Sequence, residues 1–180
     1  MANDPAVEAY LGLGGNIGDV TASFIRALQW LADSPGVTLR RMSSIYRTPP
    51  WGKLDQPSFL NMAALVETTL SARALLAVCL EIEQKSGRRR SERWGPRTLD
   101  IDLLTYGYAT IDEPDLKAPH PRIAERAFVL APLAEMTPHR RIADREVAQL
   151  LALVDCAGVE VEPAETARAR AALGPDFENA

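Results

Sequence analysis

The chain predicts an α+β fold, a mainly antiparallel sheet with two helices against one face, and three observations lead there. Short apolar segments and helical periodicities follow one another as β-α-β, then after a loop as β-α-β again. The connection between the two units, Thr48 to Ser58, holds Pro49, Pro50, Gly52 and Pro57, so it is a loop and not the crossover helix that parallel strands need. The 180 residues suffice for one good core and are short for two. Two split units of this kind make a ferredoxin-like sandwich with long loops and a partly open sheet face. A doubly wound parallel sheet is the alternative, and it suits the proline-rich connection less well. The whole chain, 1–180, is expected to be one domain, with a compact core over about 7–158 and a tail over 159–180.

Residues 7–13 form an apolar strand, and Gly12, Gly14, Gly15, Asn16 and Gly18 then read as a flexible turn. Asp19 can start the helix whose apolar positions are Val20, Phe24, Ala27, Leu28 and Leu31. Asp33-Ser34-Pro35-Gly36 ends it. Residues 37–46 read as a second strand and 59–69 as a third. Ser71 is the expected N-cap of a helix running to about Lys85, with Leu75, Cys79 and Ile82 inward. Glu81 or Glu83, at the end of that helix, is expected to tether the charged loop 87–96. A strand from Thr98 to Tyr106 follows, then a turn with a short edge strand and an irregular stretch from Asp112 to Pro121. Residues 122–134 look helical until Pro132, and Ile142 to Leu153 looks like a further amphipathic helix. Beyond Val161 the chain reads as frayed or weakly helical.

Composition narrows the function. Hydrophobic residues make up 47% and charged ones 24%, the profile of a globular chain and not of a disordered one. Cys79 and Cys156 form no CxxC or Cys–His pattern, so both are expected as buried thiols and no zinc site is indicated. Met1 to Pro5 lacks a signal peptide's features, and no apolar run is long enough to span a membrane, so a cytoplasmic location is expected. The net charge is −4, yet residues 85–97 hold Lys85, Arg88, Arg89, Arg90, Arg93 and Arg97 against Glu92 alone. An acidic body with one basic loop argues against general nucleic-acid binding and suits a small polyanion.

The run from Arg93 to Asp102, RWGPRTLDID, says which polyanion. On a strand, residues i and i+2 share a face about 6.5–7 Å apart. Asp100 and Asp102 therefore point the same way, with Leu99, Ile101 and Leu103 opposite. Two adjacent carboxylates repel, and divalent cations relieve the repulsion. Carboxylates for a metal beside arginines for phosphate oxygens is what phosphoryl transfer from a nucleoside triphosphate needs. The glycines of LGLGGNIGD supply neither a Rossmann fingerprint nor a P-loop, and on their own they indicate a tight strand-to-helix connection. With no P-loop, side chains must hold the phosphates.

The segments LGLGGNIGD, SSIYRTPPWG, DQPSFLNMAALVET, ERWGPRTLDIDLLTYG and PHPRIAERAFVLAPL, in that order over most of residues 9–134, resemble the 6-hydroxymethyl-7,8-dihydropterin pyrophosphokinase family. The resemblance implies transfer of the β,γ-diphosphate of ATP to the hydroxymethyl oxygen of a reduced pterin, with AMP leaving. It implies two Mg²⁺ ions on Asp100 and Asp102, one bridging the α- and β-phosphates and meeting the hydroxymethyl oxygen, the other bridging the β- and γ-phosphates. No protein general base is then required. Arg88 and Arg97 match catalytic arginines, and Arg90 and Arg93 match ATP contacts in the same loop. His120 and Arg126 match holders of the ATP phosphates. Phe59, Asn61 and Phe128 match the pterin site, where the rings would stack on the bicycle and the amide would pair with its edge. Thr48, Pro49 and Trp51 would add backbone groups and an apolar edge. Arg89 and His139 are expected at the surface. Asp115 and Lys117 stand where the family often has a basic residue and a threonine, and Phe59 where some members have Tyr. A monomer is expected.

Two other functions share parts of this pattern. Another metal-dependent phosphoryl- or nucleotidyl-transferase would need the aspartates and arginines but no Phe59, Asn61 and Phe128 set. A small RNA-binding domain of the same fold would spread aromatics and cations over its sheet, and here the strands offer few aromatics and an aspartate pair that repels phosphate.

Overall fold

A computed structural model describes residues 5–87 and 95–174. The first unit is β1 (Val7–Gly15), α1 (Val20–Ala32), β2 (Val37–Met42) and β3 (Tyr46–Thr48). The second is β4 (Phe59–Thr68), α2 (Ala72–Lys85) and β5 (Asp100–Tyr106). A hairpin, β6 (Ile111–Glu113) and β7 (Leu116–Ala118), leads to a 3-10 turn (Ile123–Glu125) and α3 (Ala127–Met136). Then come β8 (Arg141–Ile142), β9 (Arg145–Glu146), α4 (Val147–Leu151), β10 (Glu160–Val161) and α5 (Pro163–Leu173). The main sheet runs β10-β3-β4-β1-β5, with β2 also on β4, and every pairing in it is antiparallel. This is the α+β sandwich that the element order predicts.

The helices start where their caps say. The Asp19 carboxylate accepts the Ala22 amide at 2.9 Å, and the Ser71 hydroxyl accepts that of Ala74 at 3.2 Å. Val20, Phe24, Ala27, Leu28 and Leu31 of α1, and Leu75, Cys79 and Ile82 of α2, are all buried. They pack on the sheet face formed by Leu11, Leu13, Met62, Ala64, Val66, Ile101 and Leu103. Strand alternation sends Tyr10, Ala63, Leu65 and Leu104 to the other face, where α3 and α4 cover them. That second cover does not extend to the ends of β1, β4 and β5 nearest Gly14, Asn61 and Asp100, and this is where the candidate site residues stand. Among the described residues no helix is long and apolar enough to cross a membrane.

Several elements differ from expectation for identifiable reasons. The 37–46 strand is two strands on one edge of β4, because Ser43 leaves the ladder. Its amide donates to the Ala63 carbonyl and its hydroxyl accepts the Ala63 amide, each at 2.9 Å. The stretch expected as irregular holds the β6–β7 hairpin, turned at Asp115 with φ of 62°. Helix α3 begins only at Ala127, since Arg126 is extended, and it continues through Pro132. That proline removes one helical bond, to the Phe128 carbonyl, while Val129, Leu130, Leu133 and Met136 anchor both turns in the second core. The helix expected over 142–153 shrinks to α4, because 141–146 form a hairpin turned at Ala143. Cys79 is buried as expected, whereas Cys156, beyond the end of α4, is exposed.

The tail expected to fray is folded from Glu160 to Leu173. β10 pairs with β3, the Thr166 hydroxyl accepts the Ile45 amide at 2.9 Å, and Arg168 pairs with Asp19 at 2.6 Å. Its sequence hides this. α5 buries only Thr166 and Ala169 and presents no apolar stripe.

Candidate active site

The site is built on a strip of sheet without side chains. In the register of β1, Gly14 faces Asp100 on one side and Asn61 on the other, and Gly12 faces Asp102 and Ala63. Gly12, Gly14 and Gly15, expected in a turn, are therefore strand residues, and the turn with positive φ is at Gly18. A Cβ on Gly14 would lie 2.6 Å from Asn61 Oδ1, and one on Gly12 would lie 3.3 Å from Leu104. At position 14 the constraint on a side chain is close approach to the end of Asn61 and not backbone angle. The strip separates the carboxylates of β5 from the amide and ring of Asn61 and Phe59 on β4.

Cations cross that strip. Arg97 forms an ion pair with Asp100, and Arg126 Nη1 lies 3.8 Å from Asp102 Oδ2. The Arg97 guanidinium also sits 5.7 Å from the Phe59 ring centre, and Arg126 sits 5.5 Å from Phe128 and 5.2 Å from Trp51. Arg122 approaches Trp51 from 5.7 Å. Phe59 and Phe128 thus border one cationic and carboxylate cluster from different elements. Burial pulls the Arg126 guanidinium below its usual pKa, and Asp102 opposes that shift. Asn61 is buried, and its amide nitrogen donates to Thr48 Oγ1 at 2.7 Å, so β3 orients the amide. Pro49 is exposed, with its ring beside Gly158.

His120 stands beside this cluster. Its amide donates to the Leu104 carbonyl at 2.8 Å, and its Nδ1 accepts the Arg122 amide at 3.1 Å. That bond leaves the ring proton on Nε2 as a donor. Burial first, then the Arg126 charge, lower its pKa to about 4, against the pull of Asp100. The folded value lies below the unfolded one, so His120 contributes stability above about pH 6.5 that is lost as pH falls toward 4. A His120→Gln variant is expected to flatten the pH dependence of unfolding free energy between those limits. Identical slopes in denaturant titrations would contradict it. His139 is at the surface, 85% exposed, beside Glu146. Asp115 occupies the hairpin turn, and Lys117 pairs with Asp112 at 2.5 Å across it.

Arg88, Arg90 and Arg93, with Arg89, lie outside the described residues. Two residues are prominent: Asn16, which the sequence offers only as part of a turn, and Glu83, which it offers as a tether for the charged loop. Asn16 Nδ2 donates to Gln56 Oε1 at 3.2 Å and to the Pro57 carbonyl at 3.0 Å, while its Oδ1 accepts the Arg97 amide at 3.0 Å. It ties the end of β1 to both the 49–58 loop and Arg97. Its place between two small-residue steps in GGNIGD hides a fully bonded amide. Glu83, 3% exposed, accepts the Ile101 amide at 2.7 Å. Its position four residues after the buried Cys79 is the signal, while Glu81 is exposed.

Asp100 and Asp102 fit a hard divalent cation. They are oxygen donors on one face, over glycine, with side chains 20% and 37% exposed. Among the described residues no group of three or more His, Cys, Asp or Glu could complete a cage. Remaining ligands would then be water and substrate oxygens, as Mg²⁺ prefers.

Residues 10–138 match the family model for 7,8-dihydro-6-hydroxymethylpterin-pyrophosphokinase. The 2-amino-4-hydroxy-6-hydroxymethyldihydropteridine pyrophosphokinase of Methylorubrum extorquens is 49% identical over 153 residues, covering 85% of this chain and 97% of that one. The Bacillus subtilis enzyme of the same name is 47% identical over 128 residues, covering 71% and 77%. A crystal structure of Plasmodium falciparum HPPK-DHPS A437G with SDX-DHP shares the fold at a TM-score of 0.68 and 16% identity, over 84% of this chain and 46% of that one. This chain therefore spans about half the length of that two-part protein. Matched across most of its length by the family model and by these relatives, the chain belongs to the 7,8-dihydro-6-hydroxymethylpterin-pyrophosphokinase family.

Proposed function

We propose that the chain, as a single catalytic domain, transfers the diphosphate of ATP to the hydroxymethyl oxygen of 6-hydroxymethyl-7,8-dihydropterin, and that the residues on the glycine strip do it. The oxygen bonds to the β-phosphorus, and the bond from that phosphorus to the oxygen bridging the α-phosphorus breaks. AMP leaves with the bridging oxygen, and the hydroxyl proton goes to solvent. The observation that carries the assignment is the register that sets Asp100 across Gly14 from Asn61, with Asp102 and Phe59 on the same face two residues along their own strands. It brings a metal-binding pair and a flat polar-edged ligand's partners onto one face.

Asp100 and Asp102 would hold two Mg²⁺ ions. Bound there, Mg²⁺ neutralises triphosphate charge and acidifies the hydroxymethyl group. Arg97 and Arg126, next to those carboxylates, are the forked donors for phosphate oxygens, joined by Arg88, Arg90 and Arg93 of the basic loop. His120, neutral at pH 7, offers Nε2–H to a phosphate without adding charge. Phe59 and Phe128 would stack on the pterin, Asn61 would pair with its edge, and Thr48 holds that amide in place. Trp51, 38% exposed and against Arg122 and Arg126, would close the outer side with Pro49. The chain would act as a monomer in the cytoplasm.

Incubation with ATP, Mg²⁺ and 6-hydroxymethyl-7,8-dihydropterin should yield AMP and the pterin diphosphate in equal amounts. ADP as the product would overturn the diphosphate reading in favour of a simple phosphoryl transferase. Asn61→Ala should weaken pterin binding by about 1–3 kcal/mol, since it leaves polar edge groups unpaired. ATP affinity without pterin should hold. Gly14→Ala, which drives a Cβ into Asn61 Oδ1, should weaken pterin binding in the same direction without removing any ligand contact. Calorimetric titration of pterin in the presence of a nonhydrolysable ATP analogue checks both, and unchanged affinity in the two folded variants would remove Asn61 from the site.

A further inference from the structure

Glu83 is a carboxylate buried at the back of the aspartate pair. It projects from the last turn of α2, and its Oε1 accepts the amide of Ile101, the residue between Asp100 and Asp102. β5 ends the sheet, so its ladder partner β1 lies on one side only. In an antiparallel edge strand alternate amides point outward and need another acceptor. Ile101 pairs with Leu13 between the Gly14–Asp100 and Gly12–Asp102 pairs, and its amide takes Glu83 instead of β1. Three residues further along, the register of β1 with β5 shifts between Tyr10 and Leu11, where the ladder to β5 skips Leu104. The two aspartates therefore lie on a strand irregular at one end and, among the described residues, without a second strand along its outer side.

Burying a carboxylate is unfavourable unless a specific donor meets it. Leu or Met would pack there at lower desolvation cost but would leave the Ile101 amide without this acceptor. We propose that Glu83 is a positioning residue, holding the peptide between Asp100 and Asp102 so that both carboxylates face the glycine strip at the spacing that binds Mg²⁺. A one-residue slip would turn both aspartates to the helix face, and a bulge between them would turn one. Glu83 thus acts through the backbone and touches neither phosphate nor pterin.

The inference rests on the assignment of Asp100 and Asp102 to Mg²⁺, and the test separates the two. Mg²⁺ is titrated calorimetrically into protein saturated with α,β-methylene-ATP, and exchange of the Ile101 amide is followed by NMR. Glu83→Ala should speed that exchange at least about tenfold and weaken Mg²⁺ binding about tenfold, with affinity for the ATP analogue at saturating Mg²⁺ within about twofold. Glu83→Gln, whose amide oxygen still accepts the bond, should restore both to within about threefold of the original protein. If Glu83→Ala does not fold, Glu83→Asp, which keeps the charge but shortens the reach by one methylene, replaces it with the same expectation. Rapid exchange with unchanged Mg²⁺ affinity overturns the positioning role. So does a Glu83→Gln variant that binds Mg²⁺ as poorly as Glu83→Ala while its Ile101 amide stays protected, since charge and not position would then matter. Unchanged Mg²⁺ binding in Asp102→Ala would instead defeat the metal assignment itself.

Discussion

Asp102→Ala is expected to lower the single-turnover rate by at least about 10³-fold, the scale lost when preorganised charge stabilisation goes from a transition state. The expected loss is electrostatic. The reaction gathers the charge of a triphosphate around one phosphorus, and arginines alone must then screen it. The protein should stay folded, because the Asp102 side chain is 37% exposed and belongs to neither core. Arg126 loses a neighbour 3.8 Å away but keeps Trp51 and Phe128 against its guanidinium. Asp100→Ala should match it in rate. Single-turnover measurements over a range of Mg²⁺, with thermal melts as a folding control, decide the matter. Wild-type turnover by Asp102→Ala at limiting Mg²⁺ would end the metal assignment.

What the sequence made legible follows from local periodicity. Asp100 and Asp102 share a face because a strand repeats every two residues, and Leu99, Ile101 and Leu103 are buried opposite, as alternation requires. α1 and α2 announce themselves through Asp19, Ser71 and an apolar stripe. The features that escaped depend on residues distant in the chain. Nothing near Gly14 says that Asn61 presses on it, since the contact comes from the β1–β4 register. Ser43 looks like one more strand residue until its hydroxyl meets Ala63. α5 lacks an apolar stripe because it is held by polar bonds from Thr166 and Arg168. Asn16 reads as turn filler, yet its amide is fully used by partners at least forty residues away. Cys156 reads as a buried thiol because cysteines without a metal or redox pattern usually are, and it lies exposed beyond the end of α4 at Leu151.

Among the arginines proposed to act on the phosphates, Arg97 is the most open to a clean test. Its backbone is fixed independently of its side chain, for its carbonyl accepts the Asn16 and Ile17 amides at 2.9 and 3.2 Å and its amide donates to Asn16 Oδ1. Arg97→Ala therefore removes a guanidinium without freeing the loop. The lost ion pair to Asp100 is largely buried, with side chains 24% and 20% exposed, so thermal melts are the folding control for this variant. The rate effect is read on the folded protein. A donor that meets phosphate oxygens as the β-phosphorus changes partners is worth about 10²–10³-fold in the chemical step, and ATP binding should weaken by only a few-fold because other cations remain. Arg97→Lys should recover part of the rate, since a single ammonium supplies charge but not the two-pronged grip. Arg88→Ala is expected to fall in the same direction. Quench-flow turnover set against equilibrium binding of an ATP analogue separates the two effects. If Arg97→Ala kept its single-turnover rate and lost only ATP affinity, Arg97 would be a charge that gathers ATP and not one that acts on the transferring phosphorus.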